Sequence, residues 1–474
     1  WMEKQLDFLK DKLKDSFDVK YREVDTALGP ATIVFMDVLC STQFISEYIV
    51  KPLTLVKDGV KDENDIMTKV IDINITNWSK DKNDTLLHVL SGDVVIIFDK
   101  FDKVIYCETK GYTRRGVGIP ITEAVIKGPR EGFNEAFVDN VTLLRRRIKN
   151  HNLKFEPLYV GEDTQTVVCI SYIKNKAPKE LIDEIREKIK NLDYKFILDT
   201  NYIEAKLRED RTLFDTVGYT EKADEVAAKL LEGRVAIIVD GTPFVLTVPF
   251  FFIENFQTPD DYYLNRYFTS FTRILRWIAF FIAMFLPGIY VALVTHHFSV
   301  LPSLFVFRLA VARAGVPFTI VAEVIIMMLL FQIIKEAGLR LPQPIGTSMS
   351  LVSGLILGEA AVGAGIASRI TIVVVALSAV CYFLIPKLYG AVSIWSIGIV
   401  ILAALFGIPG VILISVVLLS HLAHLRSCEY QYLFPLGTLS RYKFKDIIIR
   451  GRLEEISKDI VGKDGKNEPK ESYS

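Results

Sequence analysis

The chain has 474 residues, 56 of them basic and 56 acidic; half are hydrophobic, and the mean hydropathy is +0.30. A zero net charge excludes a strongly basic nucleic-acid binder and an acidic solvating tail as descriptions of the whole, and this hydropathy is high for a soluble protein of this size. The zero conceals a split: Tyr262–Lys445 holds thirteen Lys or Arg against four Glu and no Asp, a net of +9, the last 29 residues carry −1, and the first 261 therefore carry −8.

In chain order, Trp1–Lys20 is charged and shows no apolar core of a signal peptide. Ala31–Leu39 has the length and character of a strand. Phe44, Ile45, Tyr48 and Ile49 then fall at helical spacing within 41–56, where Pro52 should interrupt the helix. Leu86–Leu90 meets a turn at Ser91-Gly92, and the strand Val94–Phe98 follows, with Lys103–Glu108 able to pair back on it. After Pro129, Phe133, Phe137, Val141, Leu144 and Ile148 mark one face of a long helix near 131–149. Arg145, Arg146 and Arg147 in its last turns complement the carbonyl end. Further on come a strand at Thr166–Ile173, an amphipathic helix at Pro178–Asn191, a helix at Tyr219–Glu232, a strand at Arg234–Val239 and a hairpin turn at Asp240-Gly241.

The segments 90–99 and 231–240 align without gaps and agree at six of ten positions. Self-similarity of this kind marks repeated units. The expected fold is therefore an α/β soluble region of two related subdomains, 1–150 and 151–261, followed by an all-α polytopic membrane domain at 262–445 and a charged, partly disordered tail at 446–474.

Catalysis leaves no trace: there is no P-loop, GxGxxG, HExxH or GxSxG. The five cysteines (Cys40, Cys107, Cys169, Cys381 and Cys428) are odd in number and form no CxxC, which argues against a disulfide framework or zinc site and suits a reducing compartment. No enzyme activity, cofactor, metal or nucleic-acid partner is expected. His421 and His424 read as polar anchors at a membrane interface.

Ile274–Val294, Pro317–Ile334, Ile345–Ser368 and Ile370–Tyr389 are each about the 20 apolar residues a membrane helix needs. Phe298–Ala312 is too short and contains Arg308, so it reads as interfacial or re-entrant. Val392–Leu425, broken at Pro409-Gly410, is a hairpin, a re-entrant pair or one kinked helix. Arginines and lysines at 266–276 and 426–452 place both flanks on the cytoplasmic side, which requires four or six crossings. Ser350, Gly354, Gly358, Ala361 and Gly365 form a small-residue stripe, serving either packing within the chain or a subunit interface or pore. Glu323 and Glu359 lie within apolar segments, where a carboxylate is expensive and a functional candidate; Arg308, Arg313 and Arg369 are their possible partners.

Several segments together resemble the A subunits of the GerA-type spore germinant receptors. In the soluble half these are Gly128, Pro129, Arg130, Glu131 and Phe133, with Glu135, Asn140, Arg145 and Arg146. At the passage into the apolar half they are Asp240–Pro243 and Asp260–Tyr263. In the apolar half they are Pro287 within 286–290, Pro317 within 316–318, Glu336, Arg340 and Pro342 within 336–342, and 354–365. The family pattern has two further acids where this chain has Met328 and Gln332.

The resemblance implies an integral protein of the spore inner membrane with its N-terminal domain on the core side. It also implies a permease-like B subunit and a lipoprotein C subunit as partners, contact with membrane lipid, and a homo-oligomer, pentameric in the family, that releases ions when a germinant binds. Glu323, Glu359, Gly354, Gly358 and Arg313 are the candidates for pore or gate. A secondary transporter and a membrane scaffold are the alternatives.

Overall fold

The computed structural model describes residues 2–452 apart from 57–58, 61, 101–102, 112–122, 124, 210, 340–353, 355, 357 and 437–445. Strands β1 (Val19–Thr26), β2 (Gly29–Met36), β3 (Thr76–Trp78), β4 (Asp93–Phe98) and β5 (Val104–Glu108) form a sheet in the order β1-β2-β4-β5-β3. Strands β6 (Leu153–Val160), β7 (Thr166–Ile173), β8 (Gly218–Thr220), β9 (Val235–Val239) and β10 (Val245–Val248) form a second in the order β6-β7-β9-β10-β8. All these pairings are antiparallel.

Position for position, the second order repeats the first. The sequence echo falls on β4 and β9. Gly92 and Gly233, just before them, both adopt left-handed backbone, at φ +87° and +93°, which costs glycine little. Asp99 and Asp240, just after them, donate their N–H groups to Pro30 and Val167 at equivalent places on β2 and β7.

The strands read as continuous apolar runs because both faces of each sheet are covered. In β4, Val95 and Ile97 point one way, while Val94, Ile96 and Phe98 point the other, into a core closed by residues of 45–70. In β9, Ala236 and Ile238 join the same core as Val95 and Ile97. Val235, Ile237 and Val239 face helix α4 (Lys179–Lys190). The shared middle core also takes side chains from α1 (Met2–Lys12), α2 (Lys82–Ser91), α3 (Phe137–Arg147) and α5 (Ala223–Leu231). The boundary expected at 150 therefore runs through one common core.

Four local expectations are corrected or completed. First, Pro52 does not interrupt its helix: helical geometry continues from Thr42 to Leu55 through a π-helical segment, Ile45–Val50. Pro52 cannot donate to the Tyr48 carbonyl four residues back, and Asp72 N–H occupies that carbonyl instead, at 3.3 Å. Second, Leu86–Leu90, given no element type from sequence, belongs to α2, which Asp81 caps by accepting the N–H of Asp84 at 2.8 Å. Third, the helix placed near 131–149 starts only at Phe137, whose N–H donates to the Asp240 carboxylate at 3.0 Å. Reciprocal bonds between Asn134 and Asn140 hold the preceding residues as a loop. Fourth, Tyr219 lies in β8, paired with Leu246, and the helix there begins at Ala223.

The basic end of α3 does more than complement a helix terminus. Arg145 donates through Nε and Nη2 to both oxygens of Asp18, at 2.8 and 2.9 Å, and through Nη1 to the Leu153 carbonyl at 2.9 Å. Both partners are excluded from solvent, and the guanidinium lies over the Phe155 ring. Because Asp18 leads into β1 and Leu153 begins β6, this one side chain fastens α3 to both sheets.

Between 262 and 425 the described residues form the helices α6 (Arg266–Thr295), α7 (Ser303–Ala312), α8 (Ile320–Leu339), α9 (Arg369–Cys381), α10 (Tyr389–Phe406) and α11 (Ile408–His424). Among the described residues, Arg266–Thr295 and Pro386–Phe406 are long and apolar enough to cross a membrane. The stretch expected as one span at 370–389 ends its α-helix at Cys381, and two short 3₁₀ turns lead to α10. The stretch 392–425 is a helical hairpin that breaks at Gly407, with φ +65°, and not at Pro409-Gly410. Proline in a first helical turn needs no donor. Gly410 lets the two helices touch, since a Cβ there would stand 2.1 Å from the Leu402 carbonyl oxygen.

Helices α6, α9, α10 and α11 define the directions of the bundle. Tyr290 meets Thr371, and Ser378 meets the Ala283 carbonyl, so α9 runs antiparallel to α6. Gly288 packs on Ile399 and His296 on the Ala404 carbonyl, so α10 runs with α6. At its end α11 returns to the sheets: His421 meets Thr212 at 3.1 Å, and a small hairpin, β11 (Arg426–Ser427) with β12 (Tyr430–Gln431), follows. Ser427 bonds with Phe250 N–H and the Thr216 carbonyl. Residues 446–452, expected to start a loose tail, pack at the foot of α6.

Replacing Arg145 by Ala strands the Asp18 carboxylate in the core and should lower unfolding free energy by about 3–5 kcal/mol. Pairing Arg145→Met with Asp18→Leu should recover most of the loss. Chemical denaturation of the purified chain measures both, and an unaltered midpoint for Arg145→Ala would refute the assignment.

Candidate functional site

Glu323 sits in the first turn of α8, fully buried among apolar helices. Its Oε1 accepts from Arg313 Nε at 3.0 Å. Its Oε2 accepts from the Ser368 N–H and the Thr371 hydroxyl, each at 3.0 Å. Thr371 is in turn within 2.9 Å of Ser368 Oγ and 3.1 Å of the Tyr290 hydroxyl. The carboxylate thus caps the positive end of α9 and neutralises an arginine, two favourable placements for a buried anion. This network joins α6, the α7–α8 turn, α8 and α9. Of the three arginines named from sequence, Arg313 is the partner.

The other acid is placed differently. Glu359 is exposed on the side of the bundle and is not brought together with Glu323. The stripe beside it turns inward: Gly354 faces Phe331 and Gly358 faces Ile372, where a Cβ would stand 3.6 Å away in both cases, and Ala361 is buried. Within the chain Gly354 and Gly358 thus lie against α8 and α9, while Ile356, Glu359 and Ala360 form the outer face. Ser350, Arg340 and Pro342 lie outside the described residues. Glu336 is exposed near the end of α8, and Pro317 is exposed ahead of its start.

Pro287 has a clear local role. A proline inside α6 frees the Ala283 carbonyl, and the Ser378 hydroxyl donates to that carbonyl at 2.9 Å, with Tyr382 OH at 3.4 Å. Apolar surroundings make such a replacement donor obligatory. Sequence reading missed Lys335, whose ammonium group lies over the rings of Tyr382, Phe383 and Tyr389. The signal available was a lone lysine in an apolar run, for which an aromatic cage is a recognised solution.

Two charged joints tie the bundle to the sheets. In the first, Arg276 holds Asp261 in a bidentate pair at 2.9 and 2.7 Å, and Arg273 adds a bond at 3.1 Å and reaches Asp446 at 2.7 Å. Burial pushes the Asp261 carboxyl up, but the two guanidinium groups outweigh it and hold it below its ordinary range. In the second, Lys387, in the turn before α10, lies 3.5 Å from Glu123. Glu123 titrates above its ordinary range because it is buried and close to Glu225. Glu225 is also buried, yet Lys229, 2.9 Å away, and Lys387 hold it down at about 2.

The signature residues of the soluble half surround these joints. Gly128, at φ +128°, lies against the Tyr263 ring, where a Cβ would come within 2.5 Å. The Pro129 carbonyl accepts from the buried Lys222 at 2.9 Å. Glu131 pairs with Arg147 at 2.8 Å and Arg146 at 3.4 Å. Phe133 is buried and its N–H donates to the Glu221 carbonyl, and the Glu135 carbonyl accepts from Gly241. Arg130 is exposed.

Paired sheets with a common core are locked by ion pairs to an apolar helical bundle, two of whose described helices are long and apolar enough to cross a membrane. The chain belongs to the family described as Bacillus/Clostridium GerA spore germination protein, which matches residues 7–459. It is 33% identical to spore germination protein KA of Bacillus subtilis (strain 168), over 97% of this chain and 87% of that protein. It is 32% identical to spore germination protein GerLA of Bacillus cereus, over 98% and 96%, and 34% identical to the uncharacterized membrane protein YfkQ of Bacillus subtilis (strain 168), over 91% and 85%. A crystal structure of the N-terminal domain of the A subunit of the Bacillus megaterium spore germinant receptor GerK3 is similar at 32% identity. It covers 52% of this chain and 92% of that one, with a TM-score of 0.40.

Glu323→Ala leaves Arg313 and the start of α9 without their acceptor and should cost about 3–5 kcal/mol in detergent-solubilised protein; Glu323→Gln, which keeps a carbonyl oxygen, should cost less. Thermal unfolding that ranks Gln at or below Ala in stability would contradict this geometry. For Glu225 the sign follows from a folded pKa near 2 against an ordinary value near 4.3. Its stabilisation is complete above the ordinary value and disappears as pH falls toward 2. Glu225→Gln should therefore cost about 2 kcal/mol at pH 7, with the gap to the parent closing below pH 4; a pH-independent gap would argue against the pairing.

Proposed function

We propose that this chain is the A-type membrane subunit of a nutrient germinant receptor of bacterial spores. Copies of it assemble around an ion path that opens when a permease-like B subunit binds germinant, with a lipoprotein C subunit completing the complex. Membership of the spore germination family across residues 7–459 is the observation that carries this reading.

The arrangement of charges supports it. α6 and α10 lead away from the sheets, and α8, α9 and α11 lead back. We count the helical residues 358–363 between α8 and α9 as one further pass, which gives six crossings with both ends on the sheet side. The arginines at the foot of α6 put that side in the spore core by the positive-inside rule. Glu359 faces outward about one helical turn from the level of Arg369, and a carboxylate facing the apolar part of lipid there is expensive. Glu359 therefore belongs against another copy or in a water-filled path, which makes it the residue assigned to ion passage. Glu323, closed off by four helical segments, holds the bundle together and sets the position of α9. The two charged joints carry movement between the helices and the sheets.

In spores or vesicles carrying the whole receptor, germinant should trigger ion release, and Glu359→Gln should slow it several-fold while receptor abundance stays constant. Release at the parental rate would remove Glu359 from the path. Absence of any germinant-dependent release by an intact complex would sink the channel reading.

A further inference from the structure

Three arginines stand at the end of the bundle remote from the sheets: Arg308, Arg313 and Arg369. Tyr290, which marks the level of the start of α9, lies seventeen residues beyond Arg273 on α6, about 26 Å at the rise of an α-helix. These arginines and the joint at the foot of α6 therefore sit on opposite sides of a layer close to the ~30 Å apolar core of a bilayer. Positive charge is normally depleted on the outer side, so arginines kept there favour an anionic partner. Arg313 has Glu323. Arg308 and Arg369 have no acidic partner among the described residues, and both side chains are exposed.

These two arginines line one cleft of about 610 Å³ between α7, the α7–α8 turn and the start of α9. Two glycines line it beside open space: a Cβ on Gly315 or Gly363 would meet nothing within 4 Å. Its rim is apolar and faces outward, with Phe307 66% and Val311 59% exposed. A cationic base, open space beside two glycines and an outward apolar rim match the phosphate headgroup and the first methylenes of a lipid.

We propose that this cleft binds the headgroup of an anionic phospholipid in the leaflet remote from the sheets, its phosphate held by Arg308 and Arg369 and an acyl chain lying on Phe307 and Val311. The inference rests on the helices lying in a membrane. Bound there, the lipid ties α7 to the start of α9, the same helix end that Glu323 caps from inside.

The test uses the full chain reconstituted into vesicles of phosphatidylcholine alone or with phosphatidylglycerol, followed by native mass spectrometry of retained lipid and by thermal unfolding. Phosphatidylglycerol should be retained preferentially and should raise the unfolding temperature. Arg308→Gln and Arg369→Gln should each weaken retention about 5-fold, while unfolding in phosphatidylcholine stays unchanged. Gly363→Leu, whose Cβ would meet nothing within 4 Å and whose side chain adds bulk to the cleft, should abolish the preference. Equal retention of both lipids, undiminished retention in the double arginine variant, or equal protection by inorganic phosphate alone would overturn the proposal. Failure of the chain to float with either vesicle would overturn the membrane reading beneath it.

Discussion

Asp261 is the pivot of the molecule. Two arginines of α6 converge on its carboxylate, one of them bidentate, while Arg273 also reaches Asp446 from the far end of the chain. The foot of α6, the last turn before it and the returning C-terminal segment are thus held at one point. Burying this much charge is tolerable only because each group has an opposite charge and hydrogen-bond partners. The orientation of the bundle, the proximity of Lys387 to Glu123 and Glu225, and the contact of His421 with Thr212 all depend on the sheets and helices being held in this relation.

Two prolines show how the fold handles a missing donor. Pro52 and Pro287 each leave a carbonyl four residues back without its helical partner, and each time a group distant in sequence takes the place. The N–H of Asp72 serves Tyr48, and the hydroxyl of Ser378 serves Ala283. In the first case the helix continues, contrary to expectation. In the second, the replacement bond is also a tie between α6 and α9, so a local defect becomes tertiary structure. Gly288, next to Pro287, meanwhile allows α10 to approach α6 against Ile399.

Much of the architecture was legible because burial on two faces writes apolar runs and alternation into the chain. The strands at 94–98, 166–173 and 235–239, the amphipathic helix at 179–190 and the repeat linking 90–99 to 231–240 are all of this kind. Boundaries failed where a side chain from elsewhere decides them. Asp240 starts α3 at Phe137, and the pairing of Tyr219 with Leu246 removes it from a helix. Family resemblance located Arg145 and Glu131, yet their partners, Asp18 and the neighbouring arginines, became visible only in three dimensions.

The sequence alone determined that the chain is made of two materials, an acidic α/β part and a basic apolar part, and it singled out Glu323 and Glu359 as the acids stranded in the second. Composition carries that much because solvent sets which residues a segment can hold. Only the tertiary structure decided that these two acids differ. Glu323 is closed inside the bundle with Arg313, Ser368 and Thr371, while Glu359 faces outward and the glycine stripe faces in. The reason is geometric: neighbours along a helix point in different directions, and which direction is interior depends on helices tens of residues away.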